Sequence, residues 1–133
     1  MHVEQRVGRL AEVRYVDPLT MDELTKFMAG VRDLVQRAPE PLVFCCDWRH
    51  VGTFDQTVAD TIVWIMRRDN PKIAKNGVLV STRQLFGQVE RILSDAGNPR
   101  RKVFLERTEL CSWLDTLLVP EERKRRDAFL DET

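Results

Sequence analysis

Two histidines, three cysteines and one tyrosine are few for 133 residues, and each scarcity closes off a class of function. His2 lies at the very start, which leaves His50 without a second imidazole near it in the sequence. No HxxxH, CxxC, glycine-rich phosphate loop or nucleophile elbow occurs, so the usual metal, nucleotide and acyl-transfer signatures are missing. Neither cofactor nor metal is expected, and no enzymatic activity. Cys45 and Cys46 are adjacent and point to opposite sides of any strand that holds them, which makes a bridge between them geometrically poor. The three thiols read as small buried hydrophobes in a reducing cytoplasm. No apolar run approaches the ~20 residues needed to cross a bilayer. The start, Met1-His2-Val3-Glu4-Gln5-Arg6, alternates in polarity, and a secretory signal is not expected. An excess of charge of one sign is also lacking. Lys plus Arg number 21 and Asp plus Glu 21, which argues against a dedicated nucleic-acid binder.

What is present is a regular alternation of short apolar runs and amphipathic stretches, in a length that suits one domain. Val3–Val7 and Leu10–Val16 alternate around Gly8-Arg9, the pattern of a β-hairpin. On the second of these strands Ala11, Val13 and Tyr15 make the better core face, leaving Leu10, Glu12, Arg14 and Val16 largely solvated. Thr20 is placed to cap a helix whose stripe is Leu24, Phe27, Met28, Val31, Leu34 and Val35. Ala38-Pro39-Glu40-Pro41 stops it.

Leu42–Cys46 then reads as a buried central strand ended by Asp47. Asp47–Phe54 reads as a polar loop carrying aromatics, and Asp55 as the N-cap of the next helix. That helix puts Val58, Ala59, Ile62, Ile65 and Met66 on one side. Trp64 falls about 150° away at 100° per residue, on the outer side, where it is a candidate for self-association. Further on, Val78–Val80 is a short buried strand. Thr82 caps a helix with the stripe Leu85, Phe86, Val89, Ile92, Leu93 and Ala96, closed by Gly97 and Pro99. Val103–Leu105 is the last strand. Thr108 is expected to cap a short helix with Leu110, Trp113, Leu114, Leu117 and Leu118 inward. Residues 119–133 carry charges of both signs and read as a charged C-terminal tail or an extra helix outside the domain of residues 1–118.

The order β-β-α-β-α-β-α-β-α predicts an α/β domain: a mixed, mostly parallel sheet of about five strands, opened by a hairpin, with four main helices. Two segments add a resemblance. Phe44-Cys45-Cys46-Asp47-Trp48-Arg49-His50-Val51 and Val103-Phe104-Leu105-Glu106-Arg107-Thr108-Glu109-Leu110-Cys111-Ser112-Trp113-Leu114 resemble the STAS domain superfamily, the fold of bacterial anti-sigma-factor antagonists. The similarity is greater to its divergent STAS/Sec14-like branch. The resemblance implies a non-enzymatic regulatory or scaffolding module in bacterial signalling, binding a kinase-like anti-sigma factor or another signalling protein. In phospho-regulated members of that superfamily the helix opens with Asp and a phosphoacceptor serine. Here Asp55 is followed by Gln56 and Thr57. An amide cannot take a phosphate, so the usual switch is not expected, although Thr57 or Thr53 could substitute.

The expected partner site is therefore Asp47, Trp48, Arg49, His50, Val51, Phe54, Asp55, Gln56 and Thr57. Arg49 and His50 would donate to an acidic partner, and Trp48, Val51 and Phe54 would supply apolar anchors. On this reading the loss of Arg49 and Phe54 together leaves the melting temperature nearly unchanged. His50 is expected to bond to Asp47 or to backbone. The Sec14-like kinship implies an alternative, a carrier of a small apolar ligand or lipid. A response-regulator receiver fits poorly, because the acid pair that would hold its cation is missing and Arg107 stands where a lysine is required.

Overall fold

The computed structural model describes residues 2–132. Strands β1 (His2–Val7) and β2 (Leu10–Val16) form the hairpin, followed by α1 (Met21–Arg37), β3 (Leu42–His50) and α2 (Gln56–Asp69). A 3-10 turn, Asn70–Lys72, leads into β4 (Ile73–Leu79), α3 (Arg83–Ala96), β5 (Arg101–Phe104), α4 (Arg107–Asp115) and α5 (Pro120–Asp131). The sheet runs β1-β2-β3-β4-β5, with β1 antiparallel to β2 and the other pairings parallel. The expected α/β class and hairpin-led mixed sheet are what the chain adopts. The described residues form five α-helices, one more than the four main ones expected.

Alternation along the strands splits the interior in two. Ala11, Val13 and Tyr15 of β2, with Phe44, Cys46 and Trp48 of β3, pack under α1, α2 and α3. Leu10, Val43, Cys45, Leu79 and Phe104 pack under α4 and α5. Cys45 and Cys46 thus face opposite layers, as their spacing predicts. The helix starts follow their caps. Thr20, Asp55 and Thr82 each accept a backbone N–H from three residues on, at 3.2, 2.9 and 3.2 Å. Gly97 ends α3 in the left-handed region, φ 75°. Gly77 is needed for a different reason: a Cβ there would collide with the Leu110 side chain, so its absence lets α4 lie close on β4.

Several boundaries differ from those the sequence suggests. β3 does not end at Asp47 but continues to His50, because Arg14 on β2 and Arg49 on β3 itself supply partners for the buried carboxylate. β4 and β5 begin at Ile73 and Arg101, earlier than their apolar cores imply. The last short helix is α4, whose N-cap is Glu106, not Thr108. Residues 120–131 are a helix packed on the sheet, with Phe129 and Leu130 buried. That helix covers the face of β2 expected to be solvated, so Leu10 and Glu12 are both 0% exposed.

Candidate functional site

The C-terminal ends of the parallel strands, with the start of α2, remain the natural place for recognition in such a sheet. The residues there divide into two groups by direction. Asp47 and Arg49 point toward α5, while Trp48 points toward α1 and α2.

Asp47 is fully buried and completely engaged. Its Oδ2 accepts from Arg14 Nε at 3.0 Å and Arg49 Nη2 at 3.0 Å, and its Oδ1 accepts from Arg49 Nε at 2.8 Å. Burial alone would raise this carboxyl. The hydrogen bonds from Arg49 and Arg14 outweigh that and hold it below its ordinary range. Both guanidiniums reach on to the C-terminal carbonyls of α5: Arg14 Nη2 donates to Phe129 O and Arg49 Nη2 to Leu130 O, each at 2.6 Å. Two cations at the negative end of a helix are favourably placed. Arg49 therefore holds the fold together and is not a free donor for an acidic partner.

Trp48, Val51 and Phe54 are core residues at 1%, 3% and 7% exposure, which corrects their expected role as surface anchors. The physical reason is a cluster of rings. Trp48 stacks on Tyr15 with centroids 5.0 Å apart and meets Phe54 edge-on at 5.4 Å, while Tyr15 meets Phe27 edge-on at 4.7 Å. Arg49 and Phe54 both contribute to packing, so the expectation that their joint loss spares stability is reversed. Nor does His50 bond to Asp47, whose oxygens go to Arg14 and Arg49; the His50 carbonyl accepts Asp17 N–H at 3.3 Å.

What remains outside is a short polar ridge: His50, Gly52, Thr53, Asp55, Gln56 and Thr57, all exposed. It is fixed from beneath. Phe54 N–H donates to Gln88 Oε1 at 2.9 Å, and Gln88 Nε2 donates back to Phe54 O at 2.6 Å. Gly52 N–H donates to Asp17 Oδ2 at 2.9 Å, and Asp55 Oδ1 caps α2 through Val58 N–H at 2.9 Å. Nothing in the sequence singles out Gln88 or Asp17 for this, since each clamps a segment more than thirty residues away. Two open grooves meet at Thr53. One, of about 390 Å³, runs between α2 and α3 past Gln56, Asp60, Gln84 and Arg91. The other, of about 670 Å³, lies against Asp17, Pro18 and Leu19.

Comparison with family models, curated proteins and solved structures returns no match. The site's chemistry must be read from its own residues. Burial pushes the Cys46 thiol up to about 12 and the Cys45 and Cys111 thiols above their ordinary value, so all three stay protonated at neutral pH. Among the described residues no three His, Cys, Asp or Glu side chains are grouped so as to hold a metal ion. No helix among them is long and apolar enough to cross a membrane.

Trp64 lies on the outer side of α2, 58% exposed, as its helical phase predicts. The Arg68 guanidinium carbon lies 5.5 Å from its ring centroid. Trp64→Ala is accordingly expected to cost no more than about 1 kcal/mol in urea unfolding. A larger loss would mean that the ring is covered in solution.

Proposed function

We propose that this protein is a non-enzymatic regulatory or scaffolding module of the cytoplasm that binds a protein partner through the ridge His50–Thr57. The observation that carries this reading is the preorganised loop. Val51 and Phe54 anchor it in the core and Gln88 clamps it from both sides, while Thr53, Gln56 and Thr57 stand outward between two grooves. A loop already held in one shape loses little conformational entropy on binding, so its contacts convert more fully into affinity. The STAS-like resemblance points to the same edge and to a signalling partner, without the standard phosphoserine toggle, because Gln56 occupies the acceptor position. Three unbridged thiols, two of them buried and Cys111 half-buried, accord with a reducing compartment. Trp64, four residues beyond Asp60 on the same helix, would extend the contact or join two copies.

The rival reading, a carrier of a small apolar ligand or lipid, meets a size limit. The largely enclosed space between α1, α2 and the sheet is about 40 Å³. That holds a few water-sized atoms, whereas drug-sized ligands occupy roughly 300–1,000 Å³.

The test is affinity capture from the native host, with the full chain as bait and Thr53→Arg/Thr57→Arg as the comparison. Both positions are exposed, so the melting temperature should stay within about 2 °C. A specific partner should fall at least tenfold. Equal capture by both baits would refute docking at this ridge.

A further inference from the structure

The two outer strands of the sheet, β1 and β5, differ as edges. On β1 the register with β2 shifts between Glu4 and Val7, a bulge of the kind that spoils an edge for pairing. On β5 the register with β4 runs without a break. Asn76 N–H donates to Arg100 O at 2.9 Å and Val80 N–H to Phe104 O at 3.0 Å. A strand residue turns its N–H and C=O to the same side, and the side alternates along the strand. Arg100, Lys102 and Phe104 therefore face β4, while Arg101, Val103 and Leu105 face outward. Arg101 N–H is taken by Asn98 O at 3.1 Å. That leaves Arg101 O, both backbone groups of Val103 and the Leu105 N–H presented along the edge.

There is room for a strand beside them. A groove of about 420 Å³ lies on the α3 side of β5, against Phe86, Leu93 and Val103. A second, of about 680 Å³, lies on the α4 side, against Lys102, Phe104 and Trp113. Charge then selects which strand fits. Arg100, Lys102 and Glu106 are exposed, and none of them is in a salt bridge among the described residues. Laid antiparallel against β5 of a second copy, with a two-fold axis at Val103, the segment matches itself. Val103 meets Val103, and each N–H finds the other's C=O. Arg101 meets Leu105, so the free Arg101 O receives the Leu105 N–H. On the α4 face Lys102 meets Phe104, and Arg100 stands opposite Glu106 at both ends. Moving the axis by one residue sets Lys102 against Lys102, or Arg101 against Arg107, pairings that like charges disfavour.

We propose that β5 is a self-recognition edge, through which two copies of this chain join antiparallel about a two-fold axis at Val103 into one continuous sheet. The surface is separate from the ridge His50–Thr57 and does not depend on it. Because the axis stands perpendicular to the sheet, the strands of the two copies run in opposite directions. The pair therefore carries one ridge at each end.

Light scattering on the full chain, from about 10 μM to about 1 mM, should show the mass rise toward that of two chains. Arg100→Glu or Glu106→Arg alone sets like charges together at both ends and should weaken the pair about tenfold. Both positions are exposed, and Glu106 caps α4 without a side-chain bond, so folding is spared. Arg100→Glu/Glu106→Arg restores the match with its signs reversed, and should return association to within about threefold of wild type. In the unmodified chain, the Val103 amide should exchange with deuterium more slowly as concentration rises. A single-chain mass at every concentration would overturn the proposal. So would a double swap weaker than either single one, or a Val103 amide that gains no protection. A dimer lost on Trp64→Ala but indifferent to the swaps would place self-association on α2 instead.

Discussion

Asp47→Asn is expected to lower the unfolding free energy by about 3–5 kcal/mol at neutral pH, a large share of what a domain of this size possesses. The amide keeps the shape of the side chain but removes the carboxylate that joins Arg14 and Arg49. Both guanidiniums would then be left half-buried beneath α5, with carbonyl oxygens as their remaining acceptors. The pH dependence follows from the direction of the shift. The Asp47 carboxyl is held below its unfolded value by its arginine hydrogen bonds, so its contribution is complete above the ordinary carboxylate range. As pH falls toward and through the depressed folded value, that contribution disappears. The gap between wild type and Asp47→Asn in urea unfolding should therefore be widest near pH 7 and shrink steadily below about pH 4. A gap that stays constant down to pH 2 would show that the variant acts through packing and not through charge.

The same cluster explains what the sequence could and could not reveal. Helices α1, α2 and α3 were legible because their buried stripes are apolar and their caps are side chains that announce themselves, Thr20, Asp55 and Thr82. The β-hairpin was legible from alternation around Gly8. The continuation of β3 was not. An acid followed by Trp, Arg and His looks like a loop unless one knows that Arg14 lies opposite Asp47 on the neighbouring strand. The same continuation of β3 moves the site. Once Asp47 no longer ends the strand, Trp48 becomes an inward-facing strand residue, and Val51 and Phe54 follow the chain into the core. Of the residues expected at the site, His50 and Asp55–Thr57 are exposed, the last three because a helix N-terminus is fixed by its cap whatever precedes it. The outward position of Trp64 is legible for a similar reason, since the phase of a helix is set by its own apolar stripe.

Removing α5 by ending the chain at Val119 is expected to abolish cooperative folding at room temperature. The buried stripe of this helix is Glu122, Arg126, Phe129 and Leu130, half of it charged, which is why hydrophobic periodicity does not find it. Its apolar half alone is worth about 3–6 kcal/mol, from fully burying Phe129 and Leu130. The charged half does as much by serving groups elsewhere. Glu122 Oε2 accepts Arg9 N–H at 2.6 Å and its Oε1 accepts Val119 N–H at 2.8 Å, tying the hairpin turn to the start of the helix. A Cβ at Gly8, where φ is 55°, would strike that same carboxylate, so the turn and the helix constrain each other. Arg125 donates twice to the fully buried Glu12, at 2.7 and 2.8 Å, and Arg126 bonds Asp115 of α4 at 2.5 Å. Without α5, Glu12 loses its only arginine partner, and Arg14 and Arg49 lose the carbonyls they grip. Leu10 and Val43 would also be laid open to water. The apolar burial lost at Leu10 and Val43, added to that of Phe129 and Leu130, reaches the whole stability of an ordinary domain. The shortened chain should bind a hydrophobic dye and show a broad or absent urea transition. If instead it melts within a few degrees of the full chain, the helix is an accessory and the fold is complete at residue 119.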